Sequence, residues 1–306
     1  MKFRPTLALD LTSPSSSSSD DSRTWKWGQT TYRKESFSIG RDFLRLEGRT
    51  VSRGQLDPEK LVIEDIIGKG NFSTVRRAQW RNYDGTNTPV AVKELCLTHS
   101  SKKRQNMLLQ ELRTLCLFQS EFLVTLHGAF LQDDTIFMVL EMMDQGSLSD
   151  YFQTNRTACM ASEFIAAMAI QVLSGLSYLH SNQLIHRDLK PANILLHTSG
   201  KVKLCDFGMT TLNENSMHTT VVGTTKFMAP ERLRGLPYGR SSDMWSFGLV
   251  LWQCVVGEEP WRDVYSMVDL VMTVEETEMI DLIPFGIHPG LHELIFWCLQ
   301  KDPGMY

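Results

Sequence analysis

The stretch Ile185-His186-Arg187-Asp188-Leu189-Lys190-Pro191-Ala192-Asn193, followed thirteen residues later by Asp206-Phe207-Gly208, decides the reading of this chain. An apolar run, Val202–Leu204, leads into the second triplet as a short strand. Upstream, Phe164, Ile165, Met168, Val172, Leu173, Leu176 and Leu179 form a broad apolar stripe at helical spacing, suited to a buried helix. From Leu148 onward the pattern is largely helical. Before it the class changes. Residues 61–67, 74–80 and 90–95 are β-type runs separated by turn residues such as Gly68, Gly70, Asp84 and Gly85, which predicts a meander. Residues 101–117 switch to helical spacing, with Met107, Leu108, Leu112 and Leu115 on one face, and residues 123–130 and 135–141 read as strands again. The fold class expected is α+β. A small β-rich lobe with one main helix (residues 58–144) joins a larger, mostly helical lobe (residues 145–306) near positions 141–146, leaving a cleft of the kind ligands occupy.

Residues 1–57 contain a Ser-rich stretch from Thr12 to Ser22 that cannot bury enough apolar surface to offset ordering entropy. They are expected to be mostly a disordered tail, with a short ordered piece around residues 43–46. Across the 306 residues, 42% hydrophobic and 22% charged side chains suffice for one large domain or two lobes. No apolar run approaches the roughly 20 residues that cross a bilayer, and no signal-peptide core follows Met1-Lys2-Phe3-Arg4-Pro5. The six cysteines are scattered without metal spacing and read as reduced thiols of an intracellular protein. A cytoplasmic location is expected, with nuclear shuttling left open. A net charge of −4 without a Lys/Arg block argues against nucleic acid or a membrane as partner.

The segment from Ile67 through Gly68, Lys69, Gly70 and Ser73 to Val75 places two glycines where a hairpin passes close to a ligand, since a Cβ there obstructs approach of amides to phosphate oxygens. Alone it is compatible with an ordinary hairpin. Because a strand follows it, a dinucleotide-binding Rossmann turn is disfavoured. Val90-Ala91-Val92-Lys93 puts a lysine at the end of an apolar strand, where an ammonium is costly unless an anion neutralises it. Glu111, on the inward face of the following helix, and a nucleotide phosphate are the candidate partners.

Taken together, the nine-residue stretch and the Asp-Phe-Gly triplet resemble the catalytic loop and metal-binding turn of the protein kinases. Ala229-Pro230-Glu231 and the run from Ser242 to Gly248 follow in the expected order, so the resemblance covers residues 61–306 and implies the bilobal kinase fold. It implies ATP and Mg²⁺ as cofactors, because phosphoryl transfer needs positioning and charge neutralisation more than covalent help. By resemblance, Asn193 and Asp206 hold Mg²⁺, whose hard charge suits carboxylate and amide oxygens. Lys93, held by Glu111, orients the α- and β-phosphates, Asp188 accepts the substrate hydroxyl, and Lys190 offsets charge on the γ-phosphoryl group. Gly68, Lys69, Gly70, Ser73, Val75 and Ala91 cover the nucleotide. Backbone near Glu141 and Met143 faces the adenine, Leu140 guards the inner pocket, and Cys205 lines the same site, an inert thiol being the expectation in an apolar strand. Lys190 and Thr224 fit the serine/threonine class. Leu115, Leu126, His186 and Phe207 match the stack that couples the lobes.

The loop between Asp206 and Glu231 carries Ser216 and Thr220, four residues apart, ahead of Val222-Gly223-Thr224 and Met228-Ala229-Pro230-Glu231-Arg232. This resembles the phosphorylation pair of MAP kinase kinases, which implies a MAP kinase substrate and an upstream MAP kinase kinase kinase. Arg187 is a ready partner for a phosphate on Thr220. At the amino terminus Lys2 and Arg4 precede Leu7 and Leu9 in a pattern similar to a MAP kinase docking motif, which would raise local substrate concentration. The chain ends before the arginine and final helix that the resemblance leads one to expect. Glu231 is therefore expected to lack its usual buried partner, a loss that costs about 3–5 kcal/mol. Another serine/threonine kinase of the same group and a pseudokinase scaffold are the alternatives, the second motivated by Ser73 in place of the third glycine.

Overall fold

The computed structural model describes residues 31–34, 37–40, 44–46, 49–50, 58–70, 73–97, 102–155, 159–207 and 225–302. Its first half is built on a five-stranded antiparallel sheet of order β5-β6-β7-β9-β8: β5 (Leu61–Lys69), β6 (Ser73–Arg81), β7 (Asn87–Cys96), β8 (Leu126–Gln132) and β9 (Thr135–Glu141). Side chains on a strand alternate between faces, and β7 uses both. Val90 and Val92 join Ala78, Phe130 and Val139 in a small outer cluster, where the Phe130 and Phe137 rings stack at 4.9 Å. Leu95 lies in the main core with Leu112 and Leu115 of helix α1 (Lys102–Leu117). Lys93 has the parity of Leu95, so it faces that helix. Leu108, Leu112 and Leu115 recur at helical spacing on the buried side of α1, and Glu111, three residues after Leu108, shares it.

Two expectations are corrected here. The strand expected at residues 123–130 starts at Leu126 and runs to Gln132. The residues before it pair elsewhere: Leu123 bridges Leu204 in parallel, and the Val124 amide donates to the Leu204 carbonyl at 2.9 Å. Within the segment expected to be mostly a disordered tail, the described residues form a second antiparallel sheet of β1 (Thr31–Lys34), β2 (Phe37–Gly40), β3 (Leu44–Leu46) and β4 (Arg49–Thr50), of which only the piece around residues 43–46 was expected to be ordered. Ile39 and Leu44 are fully buried in the main core, with β2 and β3 lying against β8. The apolar partner that so small a sheet cannot supply for itself comes from the larger one.

The second half is helical. Ser147 and Asp150 form a capping box that starts α2 (Leu148–Thr154): the Asp150 amide donates to Ser147 Oγ, and the Ser147 amide donates to Asp150 Oδ2. Helix α3 (Ser162–Ser181) has the length and composition to cross a bilayer, but Ile165, Met168, Val172, Leu176 and Leu179 pack into the core. Phe164, expected on this buried stripe, is partly exposed and stacks on Tyr151. A hairpin of β10 (Ile194–Leu196) and β11 (Val202–Leu204) lies against α3. There Gly175 is required, since a Cβ would sit 2.9 Å from Leu204 Cδ1 and 3.3 Å from the Phe122 carbonyl. After α4 (Pro230–Leu233) comes α5 (Arg240–Val256), the most buried helix, with Trp245, Phe247, Leu249, Val250 and Leu251 all inside. α6 (Met267–Glu276), α7 (Met279–Leu282) and α8 (Pro289–Cys298) complete the lobe.

Candidate active site

The site grows from three backbone devices. The first is strand register. Lys93 on β7 stands opposite Val75 on β6 and Met138 on β9, Ala91 stands opposite Leu140, and Gly68 pairs with Val75. The residues expected to cover a nucleotide thus share neighbouring rungs of one sheet. Lys69 and Ser73 lie at the ends of the same hairpin, closed by the Gly70 amide donating to the Ser73 carbonyl at 2.8 Å.

The second device is the β10–β11 hairpin. Its register pairs Ile194 with Leu204, and the Cys205 amide donates to the Asn193 carbonyl at 3.1 Å. Asn193 and Asp206 are therefore brought together although thirteen positions separate them. The third is Asp243, at the start of α5, which is 1% exposed. Its carboxylate accepts the His186 amide at 2.8 Å, the Arg187 amide at 2.9 Å and His180 Nε2 at 2.8 Å. Arg187 and Asp206 both have positive φ, +69° and +57°, a costly region for side chains of this kind. The loop is held in that shape from outside. The Arg232 guanidinium donates to the Arg187 carbonyl as a further tie.

On this frame the charged groups converge. Lys93 Nζ lies 2.7 Å from Glu111 Oε1 and 2.5 Å from Asp206 Oδ1. Burial alone would lower the lysine's pKa, but the two carboxylates outweigh it and raise it, so the ammonium stays charged. Burial raises the Glu111 carboxyl, with Lys93 opposing. Asp206 is held below its ordinary value because Lys93 overcomes the desolvation. Asp188 Oδ2 accepts Lys190 Nζ at 2.8 Å and Asn193 Nδ2 at 3.1 Å, while Asn193 Nδ2 also donates to the Asp188 carbonyl at 2.7 Å. His186 Nε2 donates to the Cys205 carbonyl at 3.1 Å, and burial lowers its pKa, keeping it neutral. Leu115, Leu126, His186 and Phe207 are all buried.

Burial and then the Asp206 charge push the Cys205 thiol well above its ordinary value, which matches an inert thiol. Glu141 N–H donates to the Thr125 carbonyl at 3.0 Å, and the Met143 carbonyl accepts the Gly146 amide at 3.2 Å. Glu231 Oε1, expected to lack its usual partner, accepts the Ser242 hydroxyl at 2.5 Å. Ser216, Thr220, Thr224 and the segment with Lys2, Arg4, Leu7 and Leu9 lie outside the described residues.

These groups fit a magnesium-bound triphosphate. The Asp206 side chain is 48% exposed, and the Asn193 amide spends its nitrogen on Asp188, leaving its oxygen to serve a cation. Two oxygen ligands are what Mg²⁺ takes from protein when phosphates and water supply the rest. In the sequence reading Asp243 stands inside the run from Ser242 to Gly248 without a role; the available signal is a carboxylate opening an apolar helical run.

Residues 61–305 match the protein kinase domain family, and the chain belongs to that family, whose members are ATP-dependent phosphotransferases. Within it, MAP kinase kinases are among the chain's relatives. Mitogen-activated protein kinase kinase 2 of Arabidopsis thaliana is 35% identical over 262 residues, covering 81% of this chain and 69% of the relative. SIPKK of Nicotiana tabacum is 35% identical over 249 residues, 78% and 67% of the two chains. MAP kinase kinase MKK1/SSP32 of Saccharomyces cerevisiae is 37% identical over 251 residues, 78% of this chain and 49% of that protein.

Proposed function

We propose that the chain is a dual-specificity MAP kinase kinase that phosphorylates threonine and tyrosine in the activation loop of a MAP kinase. The observation that carries this reading is the Ser216/Thr220 pair, spaced four apart between Asp206 and Glu231, in a chain whose relatives bear that name. ATP and Mg²⁺ supply the electrophilic phosphoryl group and the charge that holds its oxygens. Lys93 and Glu111 orient the phosphates, Asn193 and Asp206 hold the metal, Asp188 receives the substrate hydroxyl, and Lys190 faces the developing charge. An upstream MAP kinase kinase kinase phosphorylates Ser216 and Thr220, and the added charge of about −1.5 to −2 on Thr220 pairs with Arg187 and switches the enzyme on. Lys2, Arg4, Leu7 and Leu9 tether the substrate, and the reaction takes place in the cytoplasm.

The test is a substrate panel. The S216E/T220E variant, incubated with kinase-dead MAP kinases and with generic basic peptides, is expected to modify the MAP kinases at both hydroxyl types, read by phosphosite mapping. Preference for the generic peptides sinks the reading.

A further inference from the structure

A partly buried ion pair ties the strand that leads to Asp206 to the connection between the lobes. Lys203, in the middle of β11, is 6% exposed. Its Nζ donates to Glu141 Oε1 at 2.6 Å and to the Leu123 carbonyl at 3.4 Å. The same Glu141 oxygen accepts the Thr125 amide at 2.6 Å. Around this centre the Leu204 amide donates to the Phe122 carbonyl, and Val124 donates back to Leu204. Three segments meet at one carboxylate: the end of β9 where the chain leaves the small lobe, residues 122–125 after α1, and β11.

Stability alone does not require an ion pair at this place. Apolar residues of similar size in a buried site are commonly neutral or more stable, because they avoid desolvating two charges. What the pair supplies is a bond of fixed length and direction between the lobe connection and Lys203, three residues short of Asp206. In the structure it coexists with the Lys93–Glu111 and Lys93–Asp206 contacts, so it accompanies the assembled arrangement.

We propose that Lys203 and Glu141 are positioning residues for phosphoryl transfer, setting the distance between the adenine side of the cleft and the metal-holding Asp206 by acting through β11. The proposal rests on the protein kinase activity and not on which protein is the substrate. The pair is a brace: breaking it leaves the base-binding wall intact but lets Asp206 drift from the register the phosphates need.

The experiment compares the affinity of the full chain for adenosine with that for a magnesium-bound non-hydrolysable ATP analogue, each by calorimetric titration. In K203M the magnesium nucleotide is expected to bind roughly tenfold more weakly, as displacements below an ångström suffice for such losses. Adenosine affinity should move less than about twofold, the change left when positioning alone is lost. K203R is expected to recover at least half of the lost binding energy. The double variant E141M/K203M leaves no unpaired charge and serves where K203M melts too early; because it still removes the acceptor of the Thr125 amide, it should melt between K203M and the wild type and keep the weak magnesium-nucleotide binding. Equal losses for both ligands in K203M, no loss or tighter magnesium-nucleotide binding in K203M or E141M/K203M, or no recovery in K203R overturns the proposal. Failure of the MAP kinase reading shows separately, in the substrate panel.

Discussion

Replacing Asp243 by Asn tests the frame of the catalytic loop, because the two side chains are nearly isosteric and differ in one acceptor. In the structure Oδ2 receives the His186 amide and His180 Nε2, and Oδ1 receives the Arg187 amide. The amide of D243N keeps one oxygen. Its less damaging orientation leaves that oxygen at the Oδ2 position and turns the NH₂ group against the Arg187 N–H. A buried donor left unmatched costs about 1–3 kcal/mol, and the two remaining bonds lose their charge assistance, roughly half their strength. The sum is about 3 kcal/mol, which for a domain of this size corresponds to a fall in melting temperature of roughly 6–12 °C. Amide hydrogen exchange at His186 and Arg187 should accelerate, and phosphate transfer should fall roughly a hundredfold, because Arg187 sits at positive φ one residue before Asp188 and relaxes once released. H180Q provides the comparison. It removes one arm and leaves both backbone bonds, so about 1 kcal/mol is expected. A D243N protein with unchanged melting and unchanged protection at His186 and Arg187 refutes the reasoning.

Three further outcomes are expected. D188N should lose about 10²–10⁴-fold in phosphate transfer with nucleotide affinity preserved by titration; unchanged transfer removes Asp188 from the mechanism. The Cys205 thiol, raised well above the ordinary value of 9.0, should be alkylated more slowly than the exposed Cys96 and Cys159, with a rate still climbing at pH 9 because deprotonation is incomplete there; a plateau by pH 8 in mass-spectrometric time courses contradicts the burial argument. G248A in α5 should lower stability by about 1–3 kcal/mol in denaturant titration, since its Cβ meets Cys298 Cβ at 2.7 Å and Leu299 Cδ2 at 2.8 Å, and an unaltered midpoint means the α5–α8 contact gives way freely.

What could be read without coordinates was local or carried by a long motif. Alternation along β7 exposed the parity of Lys93, and helical spacing put Glu111 beside Leu108, Leu112 and Leu115, so their meeting followed from two short patterns. The bonds of Asp243 to residues 56 and 57 positions upstream, and of Lys203 to Glu141 across 62 positions, left no periodic trace. A charged residue in an apolar run announces that it needs a partner, not which one. Strands β1, β2 and β4 escaped for another reason, and β3 was anticipated only as a short ordered piece around residues 43–46. Runs of two to four residues are too short for period-two alternation to stand out, and the Ser-rich stretch before them dominated the composition.

The small sheet over β8 bears on how this kinase is best produced. The family match begins at residue 61, and a recombinant chain cut there would discard Ile39 and Leu44, two fully buried members of the same core as Leu115, Leu126 and Phe207. Each such side chain contributes about 1.5–3 kcal/mol when buried, and its removal also bares the surface of β8 it covers. A soluble, well-behaved product should begin before Thr31.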